Sequence, residues 1–387
     1  MRKLLINNDD LERHKATYSA PIEKILGLLS KGESVYKVGE TKGSRKKTHK
    51  VWLKARTKGE QKFYGSVLKL YRKGNFLTME LGGLVDLCKE FDKLYKIFPK
   101  KKLVEIKDNL KEIFNYEQFG VGRKLATKTI NDVRCYTWTN CAETWSAWHF
   151  IKHLNVSACC YCNAETIFSL MLNQPCPGGE EKCSNRKTKN EAYKRSALDH
   201  YIGHSKYPAL GLSLYNLVPA CTRCNTNIRG AKVLKYQNNI HPYEESFDDF
   251  FRFKYLMKGS VEFQDLTEDD IGIIVSRLDK DGRLINVDKR GMNTAQFFHL
   301  EEVYNQLHRR EAVDTIRRYT LIPEARRKEL EQHYPNIGRV VLERMLWGVD
   351  CDRNNINQYC LGKLTLDLLE QLGTTSQDEL DRIWQKW

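Results

Sequence analysis

"LDHYIGHSKYPALGLSLYNLVPACTRCN", residues 198–225, gathers an Asp-His pair (Asp199, His200), an isolated Asn (Asn216) and a Cys-x-x-Cys-Asn run (Cys221, Cys224, Asn225) within twenty-eight residues. A second pair of thiols, Cys159 and Cys162 in "ACCYCNAE", is separated from the first by 58 residues. Four thiolates in two Cys-x-x-Cys pairs suit a closed, tetrahedral, structural zinc site, and in a reducing compartment they read as metal ligands before disulfides. Between the pairs sits chemistry that a structural metal does not need. An adjacent Asp and His at the end of a strand can serve opposite directions, the carboxylate facing a metal and the imidazole facing a water molecule. Asn225, at the start of a helix, can add an amide oxygen to that metal, and Asn216, on the intervening strand, is placed to hold the loop that aims His200. A base beside a hard divalent cation is what hydrolysis of a phosphodiester requires. Zn²⁺ is therefore expected to pin two segments together, and Mg²⁺ or Mn²⁺ to serve the chemistry.

Working outward, the charge balance favours an anionic partner. The chain has 387 residues, with 64 Lys and Arg against 49 Asp and Glu and a formal charge of +15. That excess makes nucleic acid the first guess. Residues 41–75 hold twelve Lys or Arg and one acid, Glu60. Arg45, Lys46 and Lys47 lie in the densest part of this run. Trp52, Phe63, Tyr64 and Tyr71 are interleaved with the basic residues, and "HKVWLKA" and "QKFYGSVLKLY" read as two basic strands that track phosphates and offer stacking groups. Lys206, Arg229 and Lys232 are further candidates for phosphate contacts. The opening "MRKLLINNDDLERHK" lacks the apolar stretch of a secretory signal, and no run approaches the roughly 20 apolar residues of a spanning helix. A cytoplasmic chain with no membrane partner is expected.

The organisation expected is a basic N-terminal region over 1–135, a zinc-stabilised core over 136–250, and a small strand region leading into a helical C-terminal region over 251–387. Residues 83–114 read as two helices broken at "FPKKK", and "FFRFKYLM", "SVEFQDL" and "IGIIVSRL" as strands with "DKDG" as a turn. The C-terminal third reads as successive helices. His149 and His153, four apart on the helix "AETWSAWHFIKHL", have zinc-capable spacing but no third ligand, so packing or surface roles are expected. Cys176 and Cys183 read as an insertion loop, and His241, before Pro242, as a structural histidine. No phosphate-binding glycine loop is present, so the chain carries no nucleotide-hydrolysing engine of its own.

At these motifs the sequence resembles the HNH endonucleases, and more narrowly the bacterial anti-phage defence HNH nucleases of the Septu nuclease-subunit type. The residues that carry the resemblance are "CCYCN" (159–163), "DHYIGHSKYP" (199–208), "NLVPACTRCN" (216–225) and "HPYEESF" (241–247), so it covers 159–247. It implies an α+β fold with a ββα-metal core and metal-dependent cleavage of nucleic acid, DNA before RNA. His200 would be the general base, Asp199 and Asn225 the ligands of the catalytic cation, and Cys159, Cys162, Cys221 and Cys224 the zinc ligands. It also implies a separate ATPase as partner. The chain departs from the pattern in three places. Cys160 stands where the group has Pro, and His204 stands where it has a phosphate-contacting Lys, with Lys206 as substitute. Asn227 competes with Asn225 for the cation, although spacing from Cys224 favours Asn225. The rival reading is a non-catalytic zinc-ribbon subunit that binds nucleic acid or acts as a scaffold.

Overall fold

Helix α1 (Asn8–Ser30) starts where the Asn7 side chain accepts the Asp10 N–H, and its residues Asp10, His14, Tyr18, Ile22, Ile25, Leu26 and Leu29 form one buried stripe. The computed structural model describes residues 1–38, 52–171, 193–263 and 265–373. Arg45, Lys46, Lys47, Cys176 and Cys183 lie outside the described residues. The chain divides into two interleaved units, one of Leu5–Asn155 and Phe168–Pro219, the other of Met1–Leu4, Val156–Ile167 and Ala220–Trp387. The core expected over 136–250 is therefore shared between the two units.

In the first unit β1 (Val35–Lys37) and β2 (Trp52–Leu53) precede α2 (Lys58–Lys73). Here the strand reading fails: "QKFYGSVLKLY" is helix, opened by a capping box in which Thr57 and Glu60 bond each other's backbone N–H. Phe63, Tyr64 and Tyr71 are buried on its inner face rather than offered for stacking. Helices α3 (Leu81–Tyr95) and α4 (Lys100–Ile113) break at Pro99 as expected, and a short α5 (Tyr116–Gly120) follows. Strands β3 (Arg123–Ile130) and β4 (Val133–Asn140) form an antiparallel hairpin whose two-residue turn, Asn131-Asp132, takes φ values of 46° and 60°. Both residues tolerate that left-handed region and suit a turn whose twist matches the strands. The sheet runs β2-β1-β4-β3. After α6 (Ala147–His153) come β5 (Ser169–Met171) and β6 (Tyr193–Arg195), which pair antiparallel, then β7 (Ala197–His200) and β8 (Leu217–Ala220), which pair with each other.

In the second unit β9 (Arg252–Met257) and β10 (Ile271–Ser276) pair antiparallel, with Ile271, Ile273 and Val275 facing inward. "SVEFQDL" contributes no strand among its described residues. Six helices follow: α7 (Arg290–Phe297), α8 (Leu300–Leu307), α9 (Arg309–Leu321), α10 (Glu324–His333), α11 (Arg339–Trp347) and α12 (Gly362–Leu372). The first turn of α12 carries a fully buried lysine. Lys363 Nζ meets Asp248 Oδ1 at 3.0 Å and Asp367 Oδ2 at 2.9 Å, and donates to the Phe251 carbonyl at 2.8 Å. Three acceptors satisfy its three donors. Burial alone would raise the Asp248 carboxyl, but Lys363 and the neighbouring cations hold it far below its ordinary range. The fold is α+β, and among the described residues no helix is long and apolar enough to cross a membrane.

Candidate active site and metal centre

The four cysteines meet within the second unit. Cys159, Cys162, Cys221 and Cys224 are all buried, and their sulfurs lie within 4.8 Å of one another. The Cys162 and Cys221 sulfurs are 3.9 Å apart, close to the ~3.8 Å edge of a tetrahedron with ~2.3 Å Zn–S bonds. Each pair sits in a turn whose backbone points N–H groups at sulfur: Cys221 to Cys159 Sγ at 3.3 Å, Cys224 to Cys221 Sγ at 3.4 Å and Ala164 to Cys162 Sγ at 3.5 Å. Such donors stabilise thiolates. Hydrogen bonds from Cys159 and the other two thiols hold Cys162 well below the usual thiol range, whereas burial pushes Cys159 up. Four buried sulfurs in this arrangement could hold a metal such as zinc. Cys160 is outside the cluster, its sulfur turned to the Ala158 carbonyl at 4.0 Å, so the ligand register is that of Cys159 and Cys162. Among the described residues this is the one group of three or more such ligands, and His149 and His153 gain no third partner. His153 Nδ1 instead bonds Asp10 at 2.8 Å and His149 Nδ1 bonds Ser146 at 3.0 Å.

Asn163, just after the first thiol pair, was not singled out from sequence. It sits at φ 57°, its amide donates to the Ile356 and Tyr359 carbonyls, and its oxygen accepts the Lys363 N–H at 2.8 Å. The side chain thereby ties the first knuckle to the start of α12. Tyr304 on α8 adds a hydrogen bond to the Cys162 carbonyl at 2.7 Å.

The Asp-His pair closes β7 in the first unit. Asp199 and His200 are both buried, as is Asn216, which precedes β8. His200 Nε2 lies 3.0 Å from the Gly211 carbonyl oxygen. A carbonyl only accepts, so Nε2 carries a proton, and in the neutral ring Nδ1 is the basic nitrogen. Asn216 staples the loop that supplies this carbonyl: its oxygen accepts the Ile202 N–H at 2.7 Å, and its NH₂ donates to the Ile202 and Leu210 carbonyls at 3.1 and 3.2 Å. The next residues are pinned as well. His14 Nε2 donates to the Leu212 carbonyl at 2.7 Å, its tautomer fixed by Trp145 Nε1 donating to Nδ1 at 3.0 Å. Ser213 Oγ donates to the Phe76 carbonyl and the Leu214 N–H to the Leu77 carbonyl. Gly211 is required where it stands, because a Cβ there would lie 2.7 Å from the Phe114 carbonyl oxygen. Tyr116 packs edge-on against the His200 ring at 4.6 Å, and His204 lies at 4.4 Å on that ring.

Compared with family models, with curated proteins and with solved structures, the chain matches none.

The remaining sequence candidates fall in different settings. Asn225 is the third residue of the wide helical turn Arg223–Arg229 in the second unit; it is half-buried, and its side chain has no hydrogen-bond partner among the described residues. Asn227 is exposed. Lys206 is exposed and bridges to Asp92 at 3.3 Å. Lys232 is exposed, but Arg229 is buried, which departs from the surface contact expected of it. His241 is buried and accepts the Tyr243 N–H at 3.3 Å, and burial lowers its pKa to about 3, so it is a neutral turn-forming residue.

Proposed function

We propose that this chain is a zinc-stabilised, metal-dependent endonuclease of the HNH type that hydrolyses phosphodiester bonds in nucleic acid, DNA before RNA. The observation that carries the reading is the tethering of His200. A buried imidazole whose Nε2–H is committed to a carbonyl, on a loop fixed by Asn216, His14 and Ser213, makes Nδ1 the proton-accepting nitrogen of the neutral ring. A base held in one tautomer and one orientation is what general-base activation of water needs. In this reading His200 Nδ1 takes the proton of the attacking water, and Asn216 acts through the loop as a positioning residue. Asp199 would hold Mg²⁺ or Mn²⁺, which bound there would offset the negative charge on the phosphate and the departing 3′ oxygen. Products would carry 5′ phosphates. The four-cysteine site has a structural role, and the resemblance in sequence adds a separate ATPase as partner.

The test is cleavage of labelled duplex DNA, single-stranded DNA and tRNA with Mg²⁺ or Mn²⁺, comparing wild type with His200→Ala at matched zinc content. The variant should cut at least ~10²-fold more slowly, in the range lost with a general base. Undiminished cutting by the folded variant would overturn the proposal. Equal binding with no cutting by either protein would leave a zinc-held binding module.

A further inference from the structure

The outer face of α2 forms, with the end of α1, a groove of about 600 Å³ lined by Lys58, Lys62, Lys69, Gln61, Ser30 and Ser66, together with Gly65. Its lining is all donors or neutral groups, without a carboxylate or an aromatic ring. That chemistry selects an anion rich in oxygen rather than an apolar or planar ligand. The three lysines also differ from others of this unit. Lys89 and Lys93 on α3 are paired with Asp86 and Glu90 at 2.8 and 2.6 Å, and Lys102 on α4 with Glu60 and Glu105. Among the described residues no ion pair engages Lys58, Lys62 or Lys69, and all three are exposed. A helix rises 1.5 Å per residue, so they are spread over ~16 Å along α2, about five base steps at 3.4 Å each. A single phosphate would not use that length.

We infer that this groove grips the phosphodiester backbone of a nucleic-acid strand through Lys58, Lys62 and Lys69. The choice of nucleic acid as the polyanion rests on the function proposed above. The aromatic residues of α2 play no part, because Phe63, Tyr64 and Tyr71 are buried on its other face. The contact is therefore sequence-independent and strongly dependent on salt.

The experiment measures binding of the full-length protein to labelled duplex and single-stranded DNA across a salt series, with Mg²⁺ omitted so that no cleavage occurs. The test variant carries Lys58→Gln, Lys62→Gln and Lys69→Gln. The control carries Lys15→Gln, Lys89→Gln and Lys93→Gln, which removes the same charge from lysines with carboxylate partners. Loss of three phosphate contacts should lower the slope of log K against log salt by about 2 to 2.7 and weaken binding at least ~10-fold. The control should keep most of its affinity, and thermal unfolding should be unchanged in both. Equal loss in the two variants, or none in the first, overturns the inference, as does a wild type that binds no nucleic acid. So does lysine-dependent binding confined to phosphatidylserine vesicles. Lysine-dependent DNA binding by a protein that never cleaves leaves the groove standing and removes the nuclease reading. Cleavage that depends on His200 but not on these lysines does the reverse.

Discussion

Replacing Gly211 by alanine isolates the device that aims His200. The added Cβ would stand 2.7 Å from the Phe114 carbonyl oxygen and 3.1 Å from that of Pro208, whereas ordinary contact begins at 3.4 Å. Both obstacles are backbone, so the Gly211 segment has to move by ~0.7 Å, at the ~1–3 kcal/mol typical of overpacking. The same displacement can stretch the 3.0 Å bond from His200 Nε2 to ~3.7 Å, beyond hydrogen-bonding range. His200 would then sample both tautomers and turn about χ2. A misplacement approaching 1 Å costs up to ~10²-fold in rate, or ~2.7 kcal/mol in barrier. Steady-state cleavage should show kcat lowered by about that factor with KM little changed. Nitrogen NMR of the imidazole should show the single Nε2–H tautomer replaced by a mixture, whether or not substrate is present. Gly203→Ala is the control, since a Cβ there meets nothing within 4 Å. A folded Gly211→Ala protein with wild-type rate and an unchanged His200 tautomer would refute the tether.

Three further outcomes are expected. The purified protein should contain one zinc per chain by elemental analysis, and Cys162→Ser should lose it with a large fall in thermal stability; a metal-free wild type of full stability would count against the cluster as a metal site. Lys363→Met should destabilise the second unit in urea unfolding by up to ~3–5 kcal/mol, because it removes the fully buried cation between Asp248 and Asp367 and leaves them only Arg353 and Arg252. Stability should also fall with acid. Burial lowers the pKa of His14 to about 4 and of His241 to about 3, so the unfolded chain takes up protons near pH 6.5 that the fold refuses. Their contribution is complete above pH 6.5 and is lost as pH falls, towards 4 for His14 and towards 3 for His241. For His14 it is worth about 3 kcal/mol, and His14→Gln should flatten the profile in that window; an unchanged slope would argue against a neutral buried His14.

What was legible in the sequence was chemistry written in neighbouring letters. The thiol pairs, the helix break before α4 and the strands in "FFRFKYLM" and "IGIIVSRL" follow from local spacing, and the structure contains them, whereas the pairing of those two strands with each other is not part of that reading. The error at α2 was one of period. Phe63, Tyr64, Val67, Leu68 and Tyr71 recur at helical spacing, and the capping pair Thr57 and Glu60 marks where that helix starts. The β3–β4 hairpin was passed over although Asn131-Asp132 carries the turn signal between alternating flanks.

The support of His200 was illegible for a different reason. His14, Gly211 and Ser213 all act on or against backbone groups far away in the chain. A carbonyl belongs to every residue, so its partner leaves no letter in the sequence to match. Metal ligands and bases declare themselves by side-chain type, whereas the groups that orient them do so only once the chain has folded. This asymmetry fixes where substitution is informative: His200→Ala asks whether there is a base, but Gly211→Ala asks whether the fold was built to aim it. The consecutive residues Leu210, Gly211, Leu212, Ser213 and Leu214 are each held by a separate bond, so the orientation of His200 can be perturbed one bond at a time, and its tautomer read by NMR separates an effect on aim from a loss of fold.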